Sequence, residues 1–294
     1  MRDLLIQGGR IVTPEGTTDA DILVRNGTID SVGPGLAAPD GVEVIDATGK
    51  LVFPGLIDTQ VHFREPGLTH KEDLASGSLS AVGGGVTTFF EMPNTKPPTI
   101  TPEALQDKLD RARGRAWADH AFFMGATAEN ADRMAEWERL PGCAGVKIFM
   151  GSSTGSLLVD KEEALERVLR SGKHRVAVHS EDEARLRARY ADVEPGSPYR
   201  IHPDVRDVEA ALISTRRLLD LAEKTGRPVQ LLHVSTAEEL DLLRERDLGE
   251  LVTAEATPNH LFLTAPECYD VQGSLVQMNP PAVSYTHLTL PTNA

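Results

Sequence analysis

The sequence has little cysteine, no long apolar run and a deficit of basic charge. Its two cysteines, Cys143 and Cys268, cannot build the disulfide framework of a small secreted domain. Each reads as a small apolar residue, and such sparse thiol usage suits a reducing cytoplasm, where we expect the protein. No apolar stretch approaches the roughly 18 residues that a membrane span requires. The opening MRDLLIQGGRIV lacks a signal-peptide core and cleavage site. With 30 basic against 44 acidic residues and a formal net charge of -14, the chain is a poor match for nucleic acid or an anionic membrane. A small anionic substrate held by a few local cations remains compatible with that balance.

What is present suits a soluble globular protein with one large or two unequal domains: 294 residues, 40% hydrophobic and 25% charged. Residues 3 to 53 hold short alternating segments separated by Gly, Asn, Asp and Pro turns, which predicts a small β-sandwich portion over residues 1–53. From residue 51 the rhythm changes to apolar strands alternating with helical stretches, the pattern of βα units around a parallel sheet. We read seven strands, at LVFPGLIDTQVHF, VTTFFEMP, ADHAFFMGAT, AGVKIFMG, RVAVHSED, PVQLLHVST and LVTAEATPNHLFLT. Helices are expected at 71–83, 102–115, 129–138, 161–171, 205–226 and 237–246, and residues 186–204, which contain Pro and Gly, as a loop over the barrel mouth. This predicts an α/β fold, a (β/α)8 TIM-type barrel over residues 54–282 with its eighth strand missing. Such a barrel carries its chemistry at the C-terminal strand ends, where the polar residues of this chain fall.

Residues 55 to 64, GLIDTQVHFR, end an apolar strand by presenting Gln60, His62 and Arg64 on one face, because strand side chains alternate. That places a metal-ligating imidazole beside a guanidinium able to grip a carboxylate in a bidentate fork. Lys147, His179 and His233 stand in or at the end of the fourth, fifth and sixth strands. A single strand histidine is ordinarily a hydrogen-bonded structural residue, but three at strand ends converge on one volume in a barrel. Lys147 lies in AGVKIFMG, too apolar to bury an unpaired ammonium without cost. Either its neutral amine carries a carbamate that bridges metals, or the side chain reaches the rim or an acid. His70, His120, His174 and His202 read as structural histidines in helix, loop or strand-edge contexts.

GLIDTQVHFREPG with HKEDL, EMPNT, GVKIFMGSSTG, VAVHSED, LLHVST and TPNHL together resemble the dihydroorotase branch of the amidohydrolase superfamily, over essentially residues 1 to 282. The resemblance implies one or two zinc ions in the barrel mouth, bridged by carbamylated Lys147. His62 then serves one ion, and His179 and His233 the other. The implied reaction is the reversible closure of N-carbamoyl-aspartate to dihydroorotate in pyrimidine synthesis. In it the metal polarises the ring amide and lowers the pKa of a water toward roughly 7. By the same resemblance Arg64 and Asn94 hold the substrate carboxylate, Asn279 contacts the ring, His260 donates to substrate or fills the seventh strand's end, and Glu65 and Pro66 shape the loop that aims Arg64. Asn94 could instead close the Pro-Asn-Thr turn. The family also suggests a homo-oligomer, with the small-molecule substrate as the other partner.

Two departures stand out. Gln60 occupies the leading position where most of the superfamily has a second His, and an amide oxygen is a weaker zinc ligand than imidazole; it either completes a looser metal site or hydrogen-bonds within the strand. After MNPPA at 278–282 the family continues into an eighth strand with an Asp-His-Ala-Pro-His type motif whose Asp is ligand and proton shuttle, so no catalytic acid is expected within this chain. Residues 283–294, VSYTHLTLPTNA, carry no acid and read as a non-native tail, which removes His287 as a ligand candidate. On this reading the chain is an inactive fragment with two unpaired strand edges and a partly bare apolar face on the N-terminal sheet. Two other functions fit the same residues: a related cyclic amidase acting on hydantoins, dihydropyrimidines or allantoin, and a non-catalytic barrel scaffold that binds a pathway partner.

Overall fold

The computed structural model describes residues 2–153 and 157–283. Residues 154 and 155 of the GSSTG motif, and the tail from 284 with His287, lie outside the described residues. The chain divides into two compact units, the first running to Leu56 and the second beginning at Ile57.

The first unit is one twisted sheet. Strand β1 (Leu4–Thr13) pairs antiparallel with β2 (Gly16–Arg25), which pairs antiparallel with β3 (Thr28–Gly33). On its other side β1 takes β4 (Glu43–Asp46) and β5 (Leu51–Val52), both parallel. The β1–β2 register shifts between Ile6 and Gly9. Buried Asp21 holds this irregularity by accepting the N–H groups of Gly8 at 2.8 Å and Leu36 at 2.9 Å, which keeps its carboxyl below the ordinary range. Ile29, Val32, Val44, Ile45 and Leu51 of this sheet are exposed; Val44 and Ile45, adjacent on one strand, point to opposite sides of it.

The second unit is a parallel sheet of seven strands in the order β12-β11-β10-β9-β8-β7-β6, curled into an incomplete barrel of the TIM type. Its strands are β6 (Leu56–Val61), β7 (Val86–Glu91), β8 (Asp119–Gly125), β9 (Cys143–Phe149), β10 (Val176–His179), β11 (Val229–Leu231) and β12 (Val252–Ala254). Among the described residues β6 and β12 are its two edges. Between sheet and helices lies the main core, in which Phe89, Phe122, Ile148, Val178 and Leu231 are almost wholly buried. The near-continuous apolar character of β9 and β10 follows from burial on both faces, whereas the edge strand β6 is largely exposed.

Local chemistry set several boundaries differently from the periodicity. LVFPGLIDTQVHF is two strands, because Pro54 and Gly55 break it: Leu51–Val52 joins the first sheet and Leu56–Val61 starts the barrel. The helix expected from 71 begins at Leu74, since Asp73 caps it by accepting from the N–H groups of Ala75 and Ser76. The helix expected over 102–115 is Pro102–Ala112, and that over 129–138 is a 3-10 turn, Ala131–Arg133, leading into Met134–Trp137. The segment 186–204, expected as loop, is largely helical: Glu183–Ala191 is capped by Asp182, and Tyr199–Ile201 and His202–Val205 follow. The Pro195-Gly196 punctuation outweighed that cap in the sequence. The seventh strand is only Val252–Ala254, because Thr257 and Pro258 start the helix Pro258–Phe262. His260 therefore sits on a helix and not on a strand.

At the N-terminal ends of the strands, Glu138 is a structural hub. It accepts from the Lys173 N–H at 2.8 Å, from the His174 N–H and from the buried guanidinium of Arg227. Gly172 lies so close that a Cβ there would meet the Glu138 carboxylate at 2.6 Å. Removing Glu138 strands a buried cation and two N–H groups, so E138A should lower unfolding free energy by about 3–5 kcal/mol, read as a lower midpoint in urea denaturation.

Candidate active site

A cavity of about 570 Å³ opens beyond the C-terminal strand ends. Gln60, His62 and Arg64 line it from the end of β6, His233 from the end of β11, and His202, His260 and Asn279 from the segments that follow. Seven residues far apart in sequence thus share one wall, at the position where a barrel of this type carries its chemistry.

Strand alternation brings Gln60 and His62 to the cavity, but it stops at Val61. Arg64 reaches the same wall by another route, a left-handed backbone with φ of 66°, uncommon for a residue with a side chain. The turn behind it is tightly held. Glu65 accepts from the Leu74 N–H at 3.0 Å and from Arg115 at 2.7 Å, tying the turn to the helix Leu74–Gly83. Gly67 has φ of 84° and a Cβ there would fall 1.9 Å from the Lys96 carbonyl oxygen, so this position admits only glycine. Beneath Arg64, Glu91 and Lys108 form an ion pair at 2.7 Å with both side chains fully buried, and Lys108 also donates to the Met92 carbonyl at 3.1 Å. Burial pushes Glu91 up; the charge of Lys108, and after it the N–H and charge of Arg64, oppose that shift. Asn94 is buried and hydrogen-bonds to His62, so it stands at the site.

Lys147 does not reach the rim, and among the described residues it forms no ion pair. It is 1% exposed, donates to the Ile148 carbonyl at 3.0 Å and lies 4.2 Å from the Phe149 ring centroid. Burial drives its pKa well below the ordinary lysine value, with Glu255 opposing only in part. Its ladder partner is Ala177, two residues before His179. His179 Nδ1 lies 3.2 Å from His233 Nε2, and burial lowers both imidazoles well below the usual range. His62 and His233 line the same cavity, and the His179 ring stands 4.9 Å from that of His233. His233 takes φ of 40°, a second left-handed site residue.

Several residues near the cavity carried no functional signal in the sequence. Buried Glu181 approaches His179 Nε2 at 2.8 Å and pairs with buried Arg206; its place two residues after a strand-end histidine was the available clue. His202, read as structural background, lines the cavity and contacts Asn279. His260 has both ring nitrogens in use, Nδ1 with Thr257 Oγ1 at 2.7 Å and Nε2 with the Pro280 carbonyl at 3.0 Å. His120 stacks on Phe89 and bonds the Ala118 carbonyl, as a structural histidine does.

The donor set fits a divalent metal in its nitrogen chemistry. Among the described residues His233 Nδ1 and Gln60 Oε1 are buried without a hydrogen-bond partner, while His179 Nε2 faces the Glu181 carboxylate at 2.8 Å, and neutral imidazole is the form that ligates. Among the described residues, however, no three His, Cys, Asp or Glu side chains form a ready metal cage.

An amidohydrolase family model matches residues 51–185. The chain is 38% identical to a dihydroorotase of Pelobacter propionicus, across 95% of this chain and 66% of that protein. It is 34% identical to a dihydroorotase of Methanosarcina acetivorans, across 96% of this chain and 62% of the other. Among solved structures it matches an L-hydantoinase (dihydropyrimidinase) from Arthrobacter aurescens with a TM-score of 0.88 at 26% identity, over 97% of this chain and 64% of that one. This chain therefore spans 62% to 66% of the length of these relatives.

The enclosed His62 has a pKa pushed down to about 3, by desolvation first and then by Arg64, Lys147 and Lys108. Unfolding restores a value near 6.5, so the unfolded chain binds the proton more readily. The stability His62 contributes is complete above about pH 6.5 and is lost as pH falls toward 3. H62N should thus show a shallower loss of urea midpoint than the parent between about pH 7 and pH 5, measured on metal-free protein.

Proposed function

This chain carries an amidohydrolase family domain over residues 51–185, and from that premise we propose that the whole protein is a zinc-dependent cyclic amide hydrolase, a dihydroorotase that interconverts N-carbamoyl-aspartate and dihydroorotate in pyrimidine biosynthesis. The observation that carries this reading is the sharing of one cavity by Arg64 and the imidazoles of His62 and His233. A guanidinium held beside a metal-type cluster suits a ring that bears a carboxylate. The dihydroorotase relatives support it.

His62, His179 and His233 would hold one or two zinc ions, with Gln60 as a weaker oxygen ligand and Lys147 as the bridge. Zinc supplies Lewis acidity at the amide carbonyl and a nucleophile derived from water near neutral pH. Lys147, whose amine burial pushes toward its neutral form, would add to carbon dioxide with loss of a proton, giving a carbamate whose anionic oxygens complement the histidines. Arg64 and Asn94 bind the substrate carboxylate, which fixes the ring against the histidine wall and so converts binding into orientation. His260, anchored at both nitrogens, shapes the pocket beside the ring. The likeness to hydantoinases favours a second reading, hydrolysis of a neutral cyclic amide, which offers Arg64 no substrate carboxylate to hold.

Turnover of dihydroorotate against dihydrouracil by the full-length protein separates the two. We expect preference for dihydroorotate, and R64Q should raise its KM by about a hundredfold, as loss of a charge-assisted pair implies, with little change for dihydrouracil. Equal use of both rings by the parent would favour the neutral-ring enzyme. Treatment with a chelator should abolish turnover, and zinc should restore it; a protein that binds no zinc and turns over neither ring would be the scaffold.

A further inference from the structure

Tyr269, His202 and Asn279 form a hydrogen-bonded line that ends at the cavity. His202 opens the short helix His202–Val205, and Tyr269 lies in the helix Glu267–Gln272. Nδ1 of His202 is 2.9 Å from the Tyr269 hydroxyl, and Nε2 is 3.0 Å from Asn279 Oδ1. Tyr269 is 1% exposed, and burial pushes its phenol up to about 12, so it holds its proton.

With the Asn279 amide placed with Oδ1 toward His202, these distances leave one consistent arrangement of protons. A neutral imidazole has one N–H and one bare nitrogen. Asn279 Oδ1 can only accept, so Nε2 carries the proton. Nδ1 is then bare and accepts from the Tyr269 hydroxyl. The reverse order would need the amide turned over, with its NH2 group against His202, and the hydrogen-bond network is what decides such an orientation. With Oδ1 engaged by His202, the NH2 group of Asn279 is the part left for the cavity.

We propose that His202 and Tyr269 are positioning residues that lock the Asn279 amide with its NH2 group toward the cavity, so that this wall recognises a hydrogen-bond acceptor, a ring carbonyl oxygen of the cyclic amide. His202 is then neither a metal ligand nor an acid–base group, although it shares a cavity with His62 and His233, because both its nitrogens are in use within the protein. The identity of the ligand rests on the cyclic-amidase reading above; the proton order of the line does not.

Two experiments test the proposal, and they fail separately. Nitrogen-15 NMR of the substrate-free full-length protein, with His202 assigned by its loss in H202Q, should report a neutral ring protonated only at Nε2. A ring protonated at Nδ1, or at both nitrogens near neutral pH, overturns the proposal. In kinetics with dihydroorotate, H202L and Y269F should raise KM about tenfold, the effect of one mis-set hydrogen bond, with kcat changed less. H202Q should recover most of the loss, because its amide can donate to Asn279 and accept from Tyr269 at once. An unchanged KM in Y269F, or H202Q as impaired as H202L, overturns the proposal. If H202L does not fold, Y269F and H202Q decide. If the parent binds no cyclic amide, the functional reading falls, while the tautomer still decides whether the line exists.

Discussion

The mouth of this barrel depends on four basic groups held out of water, Lys147, His179 and His233 buried and His62 half-buried at the cavity wall, with Glu181 the one carboxylate in direct contact among the described residues. Each of the four is driven toward its neutral form mainly by desolvation. Placing charge there would cost several kcal/mol per ion, so the protein keeps lone pairs where a surface would keep protons. That condition suits a cation arriving from outside. It also explains the economy of the surroundings: the nearby acids are committed elsewhere, Glu181 to Arg206, Glu91 to Lys108 and Glu255 to Gln230.

The substrate side of the cavity rests on a different device. Arg64, permanently charged by its own basicity, is held at the cavity wall by a braced turn with a buried ion pair beneath it. Glu65 ties that turn to the helix Leu74–Gly83, and Gly67 lets it pass against the Lys96 carbonyl. Deep lone pairs and a cation thus stand a few residues apart on one segment, Gln60 and His62 beside Arg64.

Much of this was legible in the residues themselves. The βα rhythm gave all seven barrel strands, because parallel strands buried on both faces read as continuous apolar runs, and polar residues closing those runs marked Gln60, His62, Lys147, His179 and His233. The sequence could not tell Leu51–Val52 from Leu56–Val61, since both are apolar and only the Pro-Gly break separates their sheets. It also hid His202, which sits in a segment whose proline and glycine argue for a loop while a helix cap at Asp182 argues otherwise. Alternation alone suggested that Arg64 continues the strand face; the cavity wall it reaches is the same, but through a left-handed turn that no periodicity reports.

Two of the site residues, Arg64 and His233, hold backbone angles that glycine or asparagine adopt at lower cost. Local conformational preference and chemistry pull in opposite directions at these positions. A variant library ranked only by heat resistance would therefore drift toward glycine there, and its most durable members would be the ones that had discarded the guanidinium and an imidazole. Thermal robustness is a misleading guide to competence in this protein, and any engineering of it has to score both properties together.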